Sequence, residues 1–581
     1  MKITRNFRSS LLRSEIIGPA CLDFSEQFSR WIGRSKGGLS MIEIVCLQLR
    51  RQGRVCLLAT AMLLLLLSTA STALAESATW NLNPVNGDWN TDANWTPMDA
   101  PVSGGLAIFD VSNTTNISFS ASSTVHGITF NAGASAFTIT TGGNVVNIHA
   151  GGITNNSGIT QNFLVDGTVT FRGHGTVGDL TVFHITSGGI FFHDDASAGS
   201  GTFTIEAGGG IIFKGRTTSA GNGIFTNNGS IRIEKAHGGD ATFINNGGAV
   251  SGAAGGNILI KAGGIGDNAT FINNGGAVSG AGGGRTVFDE RSANAANSTL
   301  IANGGMNGGA GGSIVMRPDT QGGNARVEIF GNGNLDISDR FNRFPEVGFG
   351  SIEGSGMVFL GASTLAVGSN NLSTVFSGVM QDHGGIRNVN GGSLAILGTG
   401  TLTLSGPNTY TGGTAVNGGK LLVINTIGSG TGSGAVQVNS GTLGGRGTIA
   451  GAVTIGTGGG LGAILSPASG RKPGTLTIQS PLVFNSDATY DLKLNSQKAA
   501  ANKVAALGVT INNGALFSFT DFGGGTLAKG TVFKVINNTS ANPIFGTFSN
   551  LPDGSTFSSG GNTFKANYEG GTGNELTLTV Q

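Results

Sequence analysis

The chain has 581 residues, of which 103 are glycine, 11% are charged and 38% are hydrophobic, and its formal net charge is +1. Collagen is excluded because the glycines have no three-residue period and proline is scarce, and disorder is disfavoured because the hydrophobic content is high and the net charge is small. This composition is typical of a chain with many short apolar strands joined by many turns.

An export signal is the first element that the sequence predicts. Three arginines precede an apolar run over residues 55–67, and an A-x-A site follows at Ala73 and Ala75. We expect cleavage between Ala75 and Glu76, which makes residues 50–75 the signal peptide. The alternative is an uncleaved segment that anchors the protein in a membrane, although the apolar run is shorter than the about 20 residues that a span requires.

The segment before this site also holds every cysteine of the chain, namely Cys21, Cys46 and Cys56. Its removal leaves no thiol for a nucleophile, a disulfide framework, a cysteine zinc site or a lipid anchor. It carries ten Lys/Arg and four Asp/Glu, so the exported part is acidic overall and has no basic stripe for nucleic acid. Residues 1–49 form an anomalous N-terminal extension, which is consistent with a mis-assigned translation start.

Self-similarity is the most informative feature after residue 76. Segment Ala241–Ala253 recurs unchanged at Ala269–Ala281, 28 residues later, and a weaker copy begins at Ser298. Each copy places Thr-, Ile-, Val- and Phe-rich strands between Asn-Gly and Gly-Gly corners. Thr and Ile fit a half-buried pleated surface, and Gly and Asn adopt a positive φ at least cost. The sequence therefore predicts an all-β fold, a parallel β-helix (β-solenoid) of stacked coils of about 28 residues.

The stacking of such coils predicts the direction of the strand side chains and the contacts at the corners. Every second side chain of a strand points inward, and Asn at equivalent corners forms a hydrogen-bonded ladder along the axis. Helical periodicity is nearly absent, and only Gln497–Leu507 is a candidate for a short helix. Trp80, Trp89 and Trp95 are expected to form an N-terminal cap over the open end of the stack. The alternative is a set of exposed rings that stack on sugars.

A second motif begins at residue 398. Segment Gly398–Thr414 reads Gly-Thr-Gly-Thr-Leu-Thr-Leu-Ser-Gly-Pro-Asn-Thr-Tyr-Thr-Gly-Gly-Thr, and Asn417–Leu422 reads Asn-Gly-Gly-Lys-Leu-Leu. This order of residues resembles the autotransporter-associated β-strand repeat, also called the passenger-associated transport repeat. The resemblance implies a right-handed parallel β-helix that is displayed on the cell surface or released outside the cell. The motif positions are Gly406, Pro407, Asn408, Tyr410, Gly412, Gly413, Asn417, Gly418 and Gly419.

The patterns divide the exported part into four predicted regions. They are an N-terminal cap with the first coils at 76–135, a glycine-rich β-helix with repeats of about 28 residues at 136–354, the autotransporter-associated repeat region at 355–460, and a C-terminal β-helix region at 461–581. The resemblance implies that many related proteins end in an outer-membrane β-barrel. We expect none in the last region, because aromatic girdles and alternating strands of about 10 residues are missing from it.

Candidate catalytic and metal-binding groups all have a structural interpretation. His193, Asp194 and Asp195 resemble the segment of the repeat around 289–291, so both groups are interpreted as turns. Segment 263–268 is similar to a calcium-binding nonapeptide, but its Asp falls one position early and the motif does not repeat in tandem. Residues 418–421 lack the Ser or Thr that follows the lysine of a P-loop. We therefore expect no catalytic residue, no cofactor and no metal site.

The functional hypothesis is a non-catalytic, exported, passenger-like β-helix that serves as a surface or extracellular structural or adhesive element. The alternative is a carbohydrate-active β-helix of the polysaccharide lyase or hydrolase kind, which needs two or three carboxylates, or carboxylates with a basic residue, converging on one groove. The expected partners are surface polysaccharides or host and matrix components, and nucleic acid is not expected. The chain is expected to be a monomer that is extracellular, on the cell surface or periplasmic.

Overall fold

The computed structural model describes residues 76–340, 346–468 and 473–581, and Ala75–Gln581 cluster as one compact unit. The predicted extension and signal peptide, residues 1–75, lie outside the described residues. Within the described ranges the regular structure is β-strand without an α-helix, apart from single 3-10 turns at Asp92–Asn94 and Ser496–Lys498. This part of the chain has no helix with the length and apolarity that crossing a membrane requires.

The first part of the stack consists of short strands in which buried and outward side chains alternate. The strands are β1 (Ala78–Trp80), β2 (Trp95–Thr96), β3 (Leu106–Phe109), β4 (Asn116–Ser118), β5 (Ser123–Phe130), β6 (Thr138–Thr140), β7 (Val145–Asn155), β8 (Gln161–Val165), β9 (Thr168–Phe171), β10 (Thr181–Ile185), β11 (Gly189–His193), β12 (Thr202–Ile205), β13 (Gly210–Lys214), β14 (Ile224–Asn227), β15 (Ser230–Glu234), β16 (Thr242–Asn245), β17 (Asn257–Lys261), β18 (Thr270–Asn273), β19 (Arg285–Asp289), β20 (Thr299–Ala302), β21 (Ser313–Met316), β22 (Arg326–Ile329) and β23 (Asn334–Asp336).

Successive coils place these strands in two parallel sheets. Face A contains the odd-numbered strands β1 to β23, whereas face B contains the even-numbered strands β4 to β22. A third side is made of single parallel bridges that run from Thr176 through Ser197, Ser219 and His237 towards Gln321. Each coil therefore visits three sides and returns to the same face about 4.8 Å further along the axis. The predicted parallel β-helix is confirmed.

The second part of the stack keeps three sides but rearranges its columns. Face A ends with β26 and β29, face B continues through β25, β28, β31 and the second half of β32, and a new column begins with β24, β27, β30 and the first half of β32. The strands are β24 (Glu346–Phe349), β25 (Ser351–Gly354), β26 (Met357–Phe359), β27 (Thr364–Val367), β28 (Thr374–Phe376), β29 (Val379–Gln381), β30 (Ser393–Ile396), β31 (Thr401–Leu404), β32 (Gly413–Val423), β33 (Val436–Gly445), β34 (Thr448–Ile449), β35 (Val453–Ile455), β36 (Ala463–Pro467), β37 (Thr475–Ile478), β38 (Leu482–Phe484), β39 (Ala488–Asn495), β40 (Ala500–Ala501), β41 (Lys503–Ala506), β42 (Val509–Ile511), β43 (Leu516–Asp521), β44 (Val532–Asn538), β45 (Thr556–Ser559), β46 (Asn562–Gly570) and β47 (Glu575–Val580).

The interior of the first part is ordered by a phenylalanine column beneath face B. Consecutive rings from adjacent coils stack with centroid distances between 4.7 and 5.1 Å. The spacing follows from the backbone, because equivalent residues of parallel strands in register lie one strand spacing apart. The stack therefore adds ring contacts to the burial of each side chain. The column consists of Phe163, Phe183, Phe203, Phe225, Phe243 and Phe271.

An asparagine ladder closes the corner at the end of face B. Asn227 Nδ2 donates to Asn245 Oδ1 at 2.7 Å, and Asn245 Nδ2 donates to Asn273 Oδ1 at 2.8 Å. All three side chains are fully buried, so their amides need these partners. This confirms the ladder that the Asn corners predicted.

The 28-residue unit is a shorter coil with an added loop. Asn227 and Asn245 lie 18 residues apart, whereas Asn245 and Asn273 lie 28 residues apart. The additional residues form the glycine-rich loops 246–256 and 274–284. The loops stack through backbone bonds such as that from Gly248 N to Gly282 O, at 2.7 Å.

The two ends of the described stack differ in construction. At the N-terminal end, β2 pairs antiparallel with β1, and Trp80, Trp89 and Trp95 are at most 1% exposed and pack edge to face at about 5 Å. The alternative of exposed rings that stack on sugars is therefore wrong, while the cap stays a prediction.

At the C-terminal end, β44, β47, β46 and β45 form antiparallel pairs, which the sequence did not predict for 461–581. The candidate helix Gln497–Leu507 is also wrong, because its residues form a single 3-10 turn followed by β40 and β41.

Candidate functional site

The motif of residues 406–419 builds a corner and a long strand shared by two columns. The first half of β32 pairs with β30 and its second half with β31, and register shifts beside Asn417 mark the bend. Gly419 has φ +53°, and a Cβ on Gly418 would lie 2.6 Å from the Gly398 carbonyl oxygen. The bend therefore needs the two glycines after Asn417, because larger residues do not fit the left-handed backbone at Gly419 or the close approach of the preceding coil at Gly418.

Asn408 is buried at the corner before this strand and connects three coils. Its Oδ1 accepts from Met380 N at 2.8 Å, and its Nδ2 donates to Gly430 O at 2.6 Å. Its backbone N donates to Ser429 O at 2.8 Å. The Asn408 amide therefore replaces the sheet hydrogen bonds that the chain loses where it turns.

Tyr410 fills the interior behind the same corner. The ring is fully buried, and its hydroxyl lies 2.6 Å from Thr414 Oγ1. Burial raises the pKa of the Tyr410 phenol well above its usual range, and the hydrogen bond to Thr414 opposes this only in part. The phenol is therefore uncharged at neutral pH and acts as a packing group. Gly406 and Gly412 lie so close to the preceding coil that a Cβ would collide with the carbonyl oxygens of Gly378 and Gly391.

Asp382 is a buried residue of this region that sequence reasoning missed. Its Oδ2 accepts from Thr411 Oγ1 at 2.7 Å, and its Oδ1 accepts from Gly392 N at 3.1 Å. These bonds close the segment 382–392, which we call the strap, and attach it to the motif at Thr411. A signal for this segment is present in the sequence, because Gly-Gly pairs at 384–385 and 391–392 enclose the short segment 386–390.

The strap lies over the outer surface of face A. Ile386 N donates to Asp336 Oδ2 at 2.8 Å, and Arg387 N donates to Ser338 Oγ at 3.0 Å. Arg387 Nε donates to Asp339 Oδ1 at 2.7 Å. Asp336 and Asp339 point away from the core, yet each is at most 8% exposed. The strap therefore links the motif coil to the end of the glycine-rich coils.

Comparison with known families identifies the motif. Residues 397–423 match the family model described as passenger-associated-transport-repeat. The matched segment contains all nine motif positions, so the resemblance found in the sequence is confirmed over these residues. No curated protein matches the chain. We call residues 397–423 the passenger repeat.

The His193 group lies far from the passenger repeat along the chain and forms a turn. His193 is the last residue of β11, and Asp194 has φ +59°, as Glu290 has φ +62° after β19. The two segments therefore turn in the same way, which confirms the interpretation of His193–Asp195 as a turn. Partial burial and the positive charge of Arg172 lower the pKa of His193, so its ring is neutral at neutral pH.

The other candidate groups are each dispersed among separate partners. Asp289, Glu290 and Arg291 lie near Arg317 (3.8 Å), Lys261 (2.6 Å) and Asp319 (3.9 Å), respectively. The aspartate of the calcium-like segment, Asp267, accepts from His237 Nδ1 at 3.1 Å and from Gly239 N at 3.0 Å. The P-loop candidate lies inside strand β32. Across the described ranges, no three His, Cys, Asp or Glu side chains come together to hold a metal ion.

A surface groove of about 420 Å³ lies beside the end of β7. Its lining includes Thr154, His174, Thr176 and a single carboxylate, Asp179, which accepts from the Ser200 hydroxyl. Acid-base cleavage of a glycoside uses two carboxyl groups across the bond. The groove therefore does not supply the constellation that a glycoside hydrolase needs.

Asp487 is a half-buried carboxylate that accepts hydrogen bonds from a neighbouring loop of the stack. The backbone N–H groups of Thr457, Gly458 and Gly460 donate to its oxygens at 3.1, 2.8 and 2.9 Å. Partial burial raises the pKa of Asp487, but these donors more than offset it and lower the pKa to about 2. The carboxylate therefore holds the glycine-rich loop 456–460 onto the next coil.

Proposed function

We propose that this chain is a non-catalytic, exported element that acts outside the cell as a structural stalk or adhesin. The passenger repeat and the parallel β-solenoid make it a passenger-like protein. The observation that carries the proposal is the structural role of the motif side chains. Asn408 forms hydrogen bonds to the neighbouring coils, and Tyr410 packs in the interior. A motif of this kind supplies length and rigidity.

A stack of equivalent coils suits attachment at many weak points. Each coil presents outward positions in register with those of its neighbours, so one surface chemistry is repeated along the axis. Repeated weak contacts on a rigid support give strong overall attachment without a deep pocket. Surface polysaccharides and host or matrix components are the partners that we propose, with no nucleic acid and with the chain as a monomer.

The non-catalytic assignment has two supports. Passenger repeats are generally not catalytic, and the groove beside the end of β7 carries one carboxylate. The carbohydrate-active alternative predicts turnover of a polysaccharide. Incubation of the purified protein with a panel of neutral and acidic polysaccharides, followed by measurement of reducing ends and of unsaturated products, tests it. We expect no product above a heat-denatured control, and sustained turnover would overturn the assignment.

The passenger repeat implies an exported, cell-surface protein. We further propose that cleavage between Ala75 and Glu76 releases the N-terminal segment. Mass spectrometry of the exported protein should find a first residue of Glu76, and an Ala73→Asp variant should retain the signal because a large charged residue does not fit an A-x-A site. Antibody labelling of intact cells, with a cytoplasmic protein as the negative control, tests display. A protein found only in the cytoplasm would refute the proposal.

A further inference from the structure

The outer surface of face B is uncharged over five successive coils. Its outward positions alternate with the buried phenylalanines and are in register from β12 to β20. Two side-chain pairs bound the surface at its ends, the hydrogen-bonded His184 and Glu206 at one end and the ion pair of Arg326 with Glu328 at the other. We call it the Thr/Ile face, and it consists of Thr202, Thr204, Ile224, Thr226, Thr242, Ile244, Thr270, Ile272, Thr299 and Ile301.

The same coils are charged on face A. Lys214, Arg232, Glu234, Lys261 and Asp289 occupy outward positions of β13, β15, β17 and β19. Solubility is therefore provided on one side of the coil, while the other side presents only hydroxyl and methyl groups. A face without charge is complementary to a partner without charge, since a charged partner would lose its solvation there without compensation.

The distances between the outward residues of the Thr/Ile face resemble the distances between water molecules in an ordered lattice. Parallel strands repeat about every 4.8 Å along the axis, and outward residues two apart on a strand are separated by about 6.6 Å. Water molecules joined tetrahedrally by hydrogen bonds of about 2.75 Å have second neighbours at about 4.5 Å and a layer repeat of about 7.3 Å. Along the axis, the strand spacing and the water spacing differ by about 0.3 Å per coil. Over the four steps between five coils the difference adds up to about 1.2 Å, which is less than half a hydrogen bond length.

We propose that the Thr/Ile face binds ice, an uncharged lattice of ordered water. Each Thr hydroxyl both donates and accepts, as each lattice water does, and the Ile and Thr methyl groups leave the adjoining waters to bond with one another. Binding of this kind goes beyond the proposed function and does not depend on it.

Two other occupants fit the face less well. It covers about 300 Å², estimated from five coils and strands about 13 Å long, whereas a stable protein interface buries about 800 Å² on each partner. A second copy of the chain is therefore disfavoured. A crystalline polysaccharide would stack its sugar rings on aromatic side chains, but the phenylalanines of these strands point inward and are buried.

The test is uptake of the purified full chain into slowly growing ice, measured as the fraction of protein in the ice relative to an inert protein of similar size. Thr270 lies on β18, the fourth of the five strands of the face, and a Thr270→Lys variant places a charge within the face. Ser230→Lys places the same charge on an exposed position of face A in a nearby coil. We expect uptake of the unmodified chain and of Ser230→Lys, and loss of uptake to the inert level for Thr270→Lys.

A second variant keeps the proposal falsifiable if the lysine disturbs folding. Replacement of Thr242, Thr270 and Thr299 by Val removes three hydroxyls but preserves the β-branched shape, and circular dichroism checks that the β signal is retained. Uptake should fall for this variant as well. Uptake of the unmodified chain no greater than that of the inert protein would overturn the proposal. Equal loss in Thr270→Lys and Ser230→Lys, or adsorption to crystalline cellulose without uptake into ice, would overturn it too.

Discussion

Replacement of Asn408 by Ala isolates the role of the passenger repeat. The change removes the acceptor for Met380 N and the donor for Gly430 O, and both hydrogen bonds are buried. A buried polar group left without a partner costs about 1–3 kcal/mol, so two orphaned groups predict a loss of about 2–6 kcal/mol in local stability. Because neighbouring coils stabilise one another, the loss should spread to the adjacent strands.

Hydrogen exchange measures this loss at the affected site. The Met380 amide should exchange faster in Asn408→Ala by the factor that corresponds to the lost free energy, about tenfold for each 1.4 kcal/mol. Thr409→Ala is the matched control, because Thr409 is exposed and joins Met380 O only through its backbone N. A loss below about 0.5 kcal/mol, which is typical of an ordinary surface substitution, would refute the reasoning that Asn408 connects the coils.

Other changes test the interior, the corners and the acid response. Phe203→Ala removes a ring stacked between two neighbours and should lower the free energy of unfolding by about 3–5 kcal/mol in urea titrations. Gly412→Ala should destabilise the motif corner, seen as new proteolytic cleavage near it, since a Cβ there meets a carbonyl oxygen. The folded pKa of Asp487, about 2, is below its ordinary 3.8, so its stabilisation is present above 3.8 and is lost as pH falls through about 2. Asp487→Asn should therefore weaken the acid dependence of stability in that window, and an unchanged dependence would contradict the assigned contacts.

The sequence predicted the stack because its signals are local. Asn245 and Asn273 occupy the same place in an exact repeat, so identical side chains had to meet one coil apart. The passenger repeat was recognisable because its glycines have a fixed order, and Gly412 and Gly418 meet steric limits that the preceding coil imposes.

Features that depend on contacts between distant segments were missed. Asp336 and Ile386 are 50 residues apart, and nothing local indicates that the strap returns to face A. The antiparallel end does have a local signal in the sequence. Only Gly560 and Gly561 separate β45 from β46, and a two-residue Gly-Gly turn favours a hairpin. The period of 28 residues also concealed a shorter coil, because repetition shows the length of a unit but not which residues leave the stack as a loop.

The inward, corner and outward positions of a coil differ in how freely they can vary, and this determines which of them can provide binding specificity. Inward positions are fixed by the column of rings, and corner positions are fixed by the limits that exclude a Cβ at residues such as Gly406. Outward positions face neither constraint, so their chemistry can differ between faces A and B of the same coil, as Lys261 and Thr270 do. A ligand should therefore respond to outward substitutions that leave stability unchanged, whereas substitutions in the passenger repeat should change stability and affect binding only through it. Measurement of both quantities on the same variants separates the two roles, and a motif variant that lost binding while keeping its full stability would show that the motif itself contacts the ligand.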